Sequence, residues 1–279
     1  LYLYELVGGA GSDTLPPGMM LNHYRNGTGE PLVLIHGIGS RWQMWEPVLD
    51  RLVAHRDVIA VDLPGFGASA MPPAGTPAGP ASLTSLVHDF LTEIDVPHPH
   101  VAGNSLGGLI ALELARHGQV RSAGALSPAG FANRAESLGS RGALWLGVRV
   151  ARRLAPRARA LLTSRTARCV TLGQFVAHPT RMTAADAAAN LRAMAAAPWF
   201  DDTLPRLRAS HFANGSDITV PVTVAWGDKD RLLLPRQAKR AAVLLPRARM
   251  VTLHDCGHVP TYDDPEQVAH VLLEASAPR

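Results

Sequence analysis

The stretch that most constrains this chain is Val101-Ala102-Gly103-Asn104-Ser105-Leu106-Gly107-Gly108. It reads as the end of a buried strand, a tight turn carrying one hydroxyl, and the opening of a helix over residues 109–115. Gly103, Ser105 and Gly107 fit the G-x-S-x-G pattern, in which a serine sits on a strained strand-to-helix turn with its oxygen exposed above a sheet. The residues two before and two after that serine crowd each other, and only a residue without Cβ fits there cheaply. At the start of the helix, the Leu106 N–H points to where an oxyanion would form. A small-residue turn with no chemistry would give the same pentapeptide, so the rest of the chain has to decide.

Upstream, Pro31-Leu32-Val33-Leu34-Ile35 is a short continuous apolar run that suits a strand covered on both faces. Residues 19–25 alternate and end at Asn26-Gly27, which reads as a strand and turn. Apolar residues recur at helical spacing over 42–55 and 82–94, with the strand Val58-Ile59-Ala60-Val61 between them. After a strand at 120–128, alternation stops. Residues 131–214 hold only helical, Ala/Arg-rich sequence, with helices expected at 144–154, 157–163, 184–196 and 204–209. That is too long for a loop in a compact sheet and reads as an inserted helical cap. Alternation resumes with a strand at 222–226, a helix at 236–245, a strand at 250–253 and a closing helix at 265–275. The fold class is therefore α/β: a mostly parallel sheet with helices on both faces. The expected organisation is an N-terminal arm or edge strand at 1–17, a core at 18–130 and 215–279, and the cap at 131–214.

Composition narrows the function classes. The 279 residues are 47% hydrophobic and 18% charged, as in a globular chain. Net charge is +4, carried almost wholly by arginine. The cluster Arg149, Arg152, Arg153, Arg157, Arg159 lacks the interleaved aromatics of a nucleic-acid site, so no nucleic-acid partner is expected. Cys169 and Cys256 form no C-x-x-C pair, which suggests neither a zinc site nor a disulfide framework, and points to a reducing, cytoplasmic setting. No apolar run reaches the ~18 residues of a membrane span.

A serine hydroxyl needs a base, and the base needs an orienting acid. Two later loops can supply them: Trp226-Gly227-Asp228-Lys229-Asp230 and Cys256-Gly257-His258-Val259-Pro260, each following a strand. Alone, each has an ordinary reading as turn or cap. Together they stand in the order serine, aspartate, histidine.

These motifs, with His36-Gly37-Ile38-Gly39 and Asp62-Leu63-Pro64-Gly65-Phe66-Gly67-Ala68-Ser69, resemble the α/β-hydrolase superfamily from about residue 20 to the end. The resemblance implies Ser105 as nucleophile, His258 as general base and acid, and Asp230 as the orienting acid, with Asp228 the competitor. It also implies an oxyanion hole formed by the N–H groups of Ile38 and Leu106. His36 and the Asp62 loop are expected to brace the turn. A serine nucleophile argues against the dehalogenases and epoxide hydrolases of this fold, whose nucleophile is a carboxylate.

The expected activity is cleavage of a small to medium apolar carboxylic ester through an acyl-serine, with no cofactor and no metal, on a small-molecule acyl substrate. Trp145, Phe175, Met194, Trp199, Phe200 and Val259 are the candidate pocket residues. Similarity to carbon–carbon hydrolases of meta-cleavage products, cofactor-free haloperoxidases and thioesterases leaves those reactions open. A receptor-like ligand-binding protein on the same fold is the non-enzymatic alternative.

Overall fold

The apolar runs of the sequence become the centre of a seven-stranded sheet. A computed structural model describes residues 20–207 and 211–277; the segment 1–17, expected as an arm or edge strand, lies outside the described residues. In chain order the elements before the helical segment are β1 (His23–Asn26), β2 (Pro31–Ile35), α1 (Glu46–Val53), β3 (Asp57–Val61), α2 (Pro80–Glu93), β4 (His100–Asn104), α3 (Leu106–Arg116) and β5 (Ser122–Leu126). Five helices follow: α4 (Arg134–Leu154), α5 (Ala158–Leu161), α6 (Arg165–Leu172), α7 (Ala184–Ala196) and α8 (Phe200–Arg206). The chain then returns through β6 (Val222–Gly227), α9 (Gln237–Leu244), β7 (Arg249–Leu253) and α10 (Pro265–Ala275).

The strand order is β1-β3-β2-β4-β5-β6-β7, with β1 antiparallel at the edge and every other pairing parallel. Alternate residues of the continuous apolar strands enter different cores, because successive side chains point to opposite faces. Val33, Ile35, Ile59 and Val61 join the core beneath α2 and α3, while Leu32, Leu34, Val58 and Ala60 join the one beneath α1 and α10. From β2 the chain moves to β3 on one side and then to β4 on the other. That reversal opens a crevice at the carboxyl ends of β2 and β4, where open α/β sheets place their sites.

The helices between β5 and β6 carry a smaller apolar cluster of their own, including Ala151, Leu162, Leu172, Met182 and Leu191. α4 begins ten residues before the helix expected at 144. The cause is a capping box: Asn133 Oδ1 accepts from Glu136 N at 2.9 Å, and Glu136 Oε2 accepts from Asn133 N at 2.9 Å. Glu136 also receives Arg236 and Arg240, which tie the first turn of α4 to α9. Burial alone would raise the Glu136 carboxyl pKa; the Asn133 N–H and the two guanidiniums more than offset this and hold it below the usual range. α6, absent from the expected helices, is capped by Ser164 at Ala167 N. The last helix starts at Phe200 rather than 204. Among the described residues no helix is long and apolar enough to cross a membrane.

Candidate active site

Ser105 joins β4 to α3 with φ 59° and ψ −115°, a left-handed conformation that costs a non-glycine residue on the order of 1–3 kcal/mol. Its neighbours enforce the turn. A Cβ on Gly103 would lie 2.1 Å from the Gly107 carbonyl oxygen, and one on Gly107 would lie 2.1 Å from that of Ile35. The Ser105 backbone is pinned on both sides: its N–H donates to Leu126 O at 3.0 Å, and its carbonyl accepts from Leu109 N and Ala129 N. Leu106 is the first residue of α3, so its N–H belongs to the donors that a helix's first turn leaves without an intrahelical acceptor.

His258 Nδ1 lies 2.8 Å from Asp230 Oδ2, and both side chains are almost wholly buried. The second Asp230 oxygen accepts from Leu232 N at 2.9 Å and Leu233 N at 2.8 Å. Three donors thus fix one carboxylate, which fixes the imidazole through Nδ1 and leaves Nε2 as the free ring nitrogen. Asp228, the competitor in sequence, stands apart: its side chain is 38% exposed and faces His254 Nδ1 at 3.5 Å. The two loops are laced together by Asp228 N to Leu253 O and Lys229 N to Cys256 O. They cross so closely that a Cβ on Gly227 would meet the Gly257 carbonyl at 2.3 Å.

Two supports were not legible as such in the sequence. Asn104 Nδ2 donates to His258 O at 2.8 Å and to Leu126 O at 3.1 Å, connecting the serine turn directly to the histidine loop. The buried carboxylate of Asp263 accepts from Gly257 N at 2.8 Å, Ala177 N at 2.9 Å and His178 N at 2.7 Å. It therefore joins the histidine loop to the segment between α6 and α7. Its position five residues after His258, before the closing helix, is the only hint of this in the sequence, and a turn or cap residue would look the same.

His36 Nδ1 pairs with Gly37 O at 2.7 Å and Nε2 accepts from Leu63 N at 2.9 Å, an arrangement that requires the neutral ring. Burial pushes its pKa down, against the opposing pull of Asp62 and the Gly37 carbonyl. Asp62 in turn accepts from Trp42 N, Ala68 N and Asn22 Nδ2. Neither His36 nor Asp62 lines the cavity described next.

Ser105 and His258 share a cavity of about 480 Å³ that runs out between the sheet edge and the helical segment. Ile38 lines it, as do Phe175, Met194 and Val259 among the candidate pocket residues. The other three candidates stand elsewhere. Trp145 is 49% exposed on α4 beneath the Arg149 guanidinium. Trp199 packs against Gly65, and Phe200 packs against Gly39, filling space behind the loop after β2. Helical spacing identified these rings as apolar but could not say which face of their helices looks at the serine. Residues not anticipated in the lining include Val150, Val170, Asn190, Leu191 and Tyr262. A smaller cavity of about 50 Å³ also touches Ser105 and Ile38, with Arg141 and Ser140 in its wall.

Among the described residues no three His, Cys, Asp or Glu side chains cluster as metal ligands. Cys256, two residues before His258, is pushed up to about 12 by burial and nearby carboxylates, so its sulfur is a thiol at neutral pH.

Comparisons with known proteins agree with this architecture. Lipase 3 of Moraxella sp. strain TA144 is 26% identical over 258 aligned residues, spanning 88% of this chain and 76% of the lipase. A thermophilic esterase from Thermogutta terrifontis superposes with a TM-score of 0.70 at 20% identity, over 91% of this chain and 92% of the esterase. A meta-cleavage product hydrolase from Pseudomonas fluorescens IP01 gives 0.69 at 19% identity, over 91% and 92%. At such identities the two structures speak for the fold. The family model described as "Alpha/beta hydrolase family" matches residues 32–271, most of the sequence, and the chain belongs to the alpha/beta hydrolase family.

Proposed function

We propose that this hydrolase is a serine carboxylesterase acting on an ester with an apolar acyl group, with the helices of residues 131–214 serving as its cap. The observation that carries the proposal is the Asp230–His258 pair opening, with Ser105, onto one cavity. His258 Nε2 takes the Ser105 proton as the oxygen attacks the ester carbonyl. The N–H groups of Ile38 and Leu106 receive the developing oxyanion, and the imidazolium then gives its proton to the departing alcohol. Water, deprotonated by the same imidazole, releases the acid from the acyl-serine. Asp230 keeps the ring oriented and stabilises its charged form without itself taking the proton.

The cavities suggest how an ester lies. The large one is lined mostly by aliphatic and aromatic groups, holds neither Lys nor Arg, and suits an acyl chain; the small one suits a short alcohol. One observation favours a second reading, a carbon–carbon hydrolase of an anionic dienoate. The Arg141 Nε in the wall of the small cavity is buried without a hydrogen-bond partner among the described residues, and a substrate carboxylate would satisfy it.

The test is a panel of p-nitrophenyl esters of increasing acyl length beside a ring-fission dienoate, compared by kcat/KM, with fluorophosphonate labelling of the wild type and Ser105→Ala. Preference for apolar acyl esters, labelling at Ser105, and a loss of about five to six orders of magnitude in kcat for the variant are expected. A dominant dienoate activity would select the second reading. Tight ligand binding without labelling or turnover would select a receptor-like protein.

A further inference from the structure

The large cavity does not close over its far end. Leu146 and Val150 on α4 and Val170 on α6 belong to its lining, yet they are 57%, 40% and 80% exposed. Leu138 and Trp145, also on α4, are 69% and 49% exposed, so the apolar rim continues along that helix. Exposed aliphatic side chains scattered singly need no explanation, but a group of them contiguous with a catalytic cavity marks a surface that meets something apolar.

Charge identifies what that something is. Residues 137–185 contain nine of the chain's 27 basic residues and none of its 23 acidic ones, which leaves the remainder of the chain net negative. All nine are arginines. Arg168 is buried against the carbonyls of Leu162 and Thr163, Arg181 binds the Asp263 carbonyl and Asp255, and Arg152 pairs with Asp201. Arg149, Arg153, Arg157, Arg159 and Arg165 are exposed around the same helices, and Arg149 lies 4.0 Å over the Trp145 ring.

We propose that this arginine-rimmed apolar mouth docks on an anionic lipid surface and that the ester enters the cavity from that surface. Apolar side chains flanked by basic ones are the arrangement by which a helix lies in a bilayer interface, its aliphatic groups among the acyl chains and its cations at the headgroups. A second copy of this chain would bring two such arginine clusters together, and a nucleic acid, which needs a series of stacking rings, would find on this rim mostly aliphatic side chains and the single ring of Trp145, already covered by Arg149. The proposal rests on the esterase reading only for what enters; the docking itself needs no turnover.

The 279-residue chain carrying Ser105→Ala is mixed with vesicles of phosphatidylcholine alone or of equimolar phosphatidylcholine and phosphatidylglycerol, then sedimented. Binding to the mixed vesicles should exceed binding to the neutral ones by at least about tenfold and weaken at high salt. Replacing three of the exposed arginines (Arg149→Gln, Arg153→Gln, Arg157→Gln) should lower it by about two orders of magnitude, at roughly fivefold each. The same three changes in the active enzyme should leave hydrolysis of a short soluble ester within about twofold, since none of them lines either cavity. Val170→Asp, at the most exposed point of the rim, should also weaken binding.

Equal binding to both vesicle types, no binding to either, or undiminished binding of the triple variant would overturn the proposal. So would tighter binding to a DNA duplex than to the mixed vesicles, or a dimer in solution that Val170→Asp dissolves. Because vesicle binding is measured on a protein that cannot turn over, it stands or falls separately from the esterase assay.

Discussion

Around Ser105 the chain is fixed by backbone crossings and buried polar contacts, whereas the helices between β5 and β6 gather round an apolar cluster of their own, four of whose nine buried residues are alanines. At the sheet edge every loop that carries a candidate catalytic group is tied to another. Asn104 holds the His258 loop, Asp230 holds the imidazole, and Gly227 admits the Gly257 carbonyl. In the helical segment, Ala151, Ala158, Ala187 and Ala188 belong to the cluster, and Leu146 and Val170, in the cavity lining, are more than half exposed. The difference marks where position is enforced: chemistry needs atoms held to within a fraction of an ångström, and buried polar contacts of that kind lie along the sheet edge.

The largest effect that sharpens this comparison lies at the rigid edge. Asp230→Asn should lower kcat by about four orders of magnitude, because an amide facing Nδ1 favours the wrong imidazole tautomer. Asp228→Asn, two residues away but exposed, should change kcat by less than about twofold. Steady-state kinetics of both variants on one soluble ester decides the assignment. Comparable losses in the two would dissolve the claimed distinction between a fixed carboxylate and a solvated one.

A smaller effect is expected where the two regions meet. Asp263→Asn replaces one acceptor oxygen by a donor facing a backbone N–H of Gly257, Ala177 or His178, and leaving such a buried group unpaired costs about 1–3 kcal/mol. The same change loosens His258. We expect kcat to fall by about ten- to a hundredfold, with the protein still folded and Ser105 still open to a fluorophosphonate. A change in KM alone would mean that Asp263 anchors the helical segment without positioning the histidine.

The same contrast explains how much could be read from the sequence. The sheet was legible because doubly covered strands must be continuously apolar, and because G-x-S-x-G tolerates nothing larger at Gly103 and Gly107. The two strand-end loops offered His258 with either Asp228 or Asp230, and the choice of Asp230 rested on the resemblance to the α/β-hydrolase superfamily. The helical segment was legible as helices but not as surfaces. Trp145, Trp199 and Phe200 are aromatic whether they face the cavity, the core or water, and single-sequence periodicity has no means to choose. The start of α4 was encoded locally by Asn133 and Glu136, yet that pair gives its signal only when the helix is already in view. Asp263 was hidden for the opposite reason, since two of its three partners, Ala177 and His178, come from a distant segment.

The smallest effect concerns the ring that braces the edge from behind. The His36 pKa is lowered from the ordinary value of 6.5 by burial, with Asp62 and the Gly37 carbonyl pulling the other way, so the folded protein keeps the ring neutral where the unfolded chain protonates it. Stability from this group is therefore complete above pH 6.5 and is lost as pH falls from there toward the folded value, at up to about 1.4 kcal/mol per pH unit. His100, also lowered by burial against the pull of Glu30, acts in the same direction. His36→Asn leaves Leu63 N–H without its acceptor and should cost about 1–3 kcal/mol at pH 7. Because asparagine does not titrate, the gap between wild type and variant should narrow from pH 7 to pH 5 in urea denaturation, while the contribution of His100 persists in both. A gap that stays constant across that range would mean that the ring is not held neutral and that its hydrogen bond to Leu63 N–H does not depend on its protonation state.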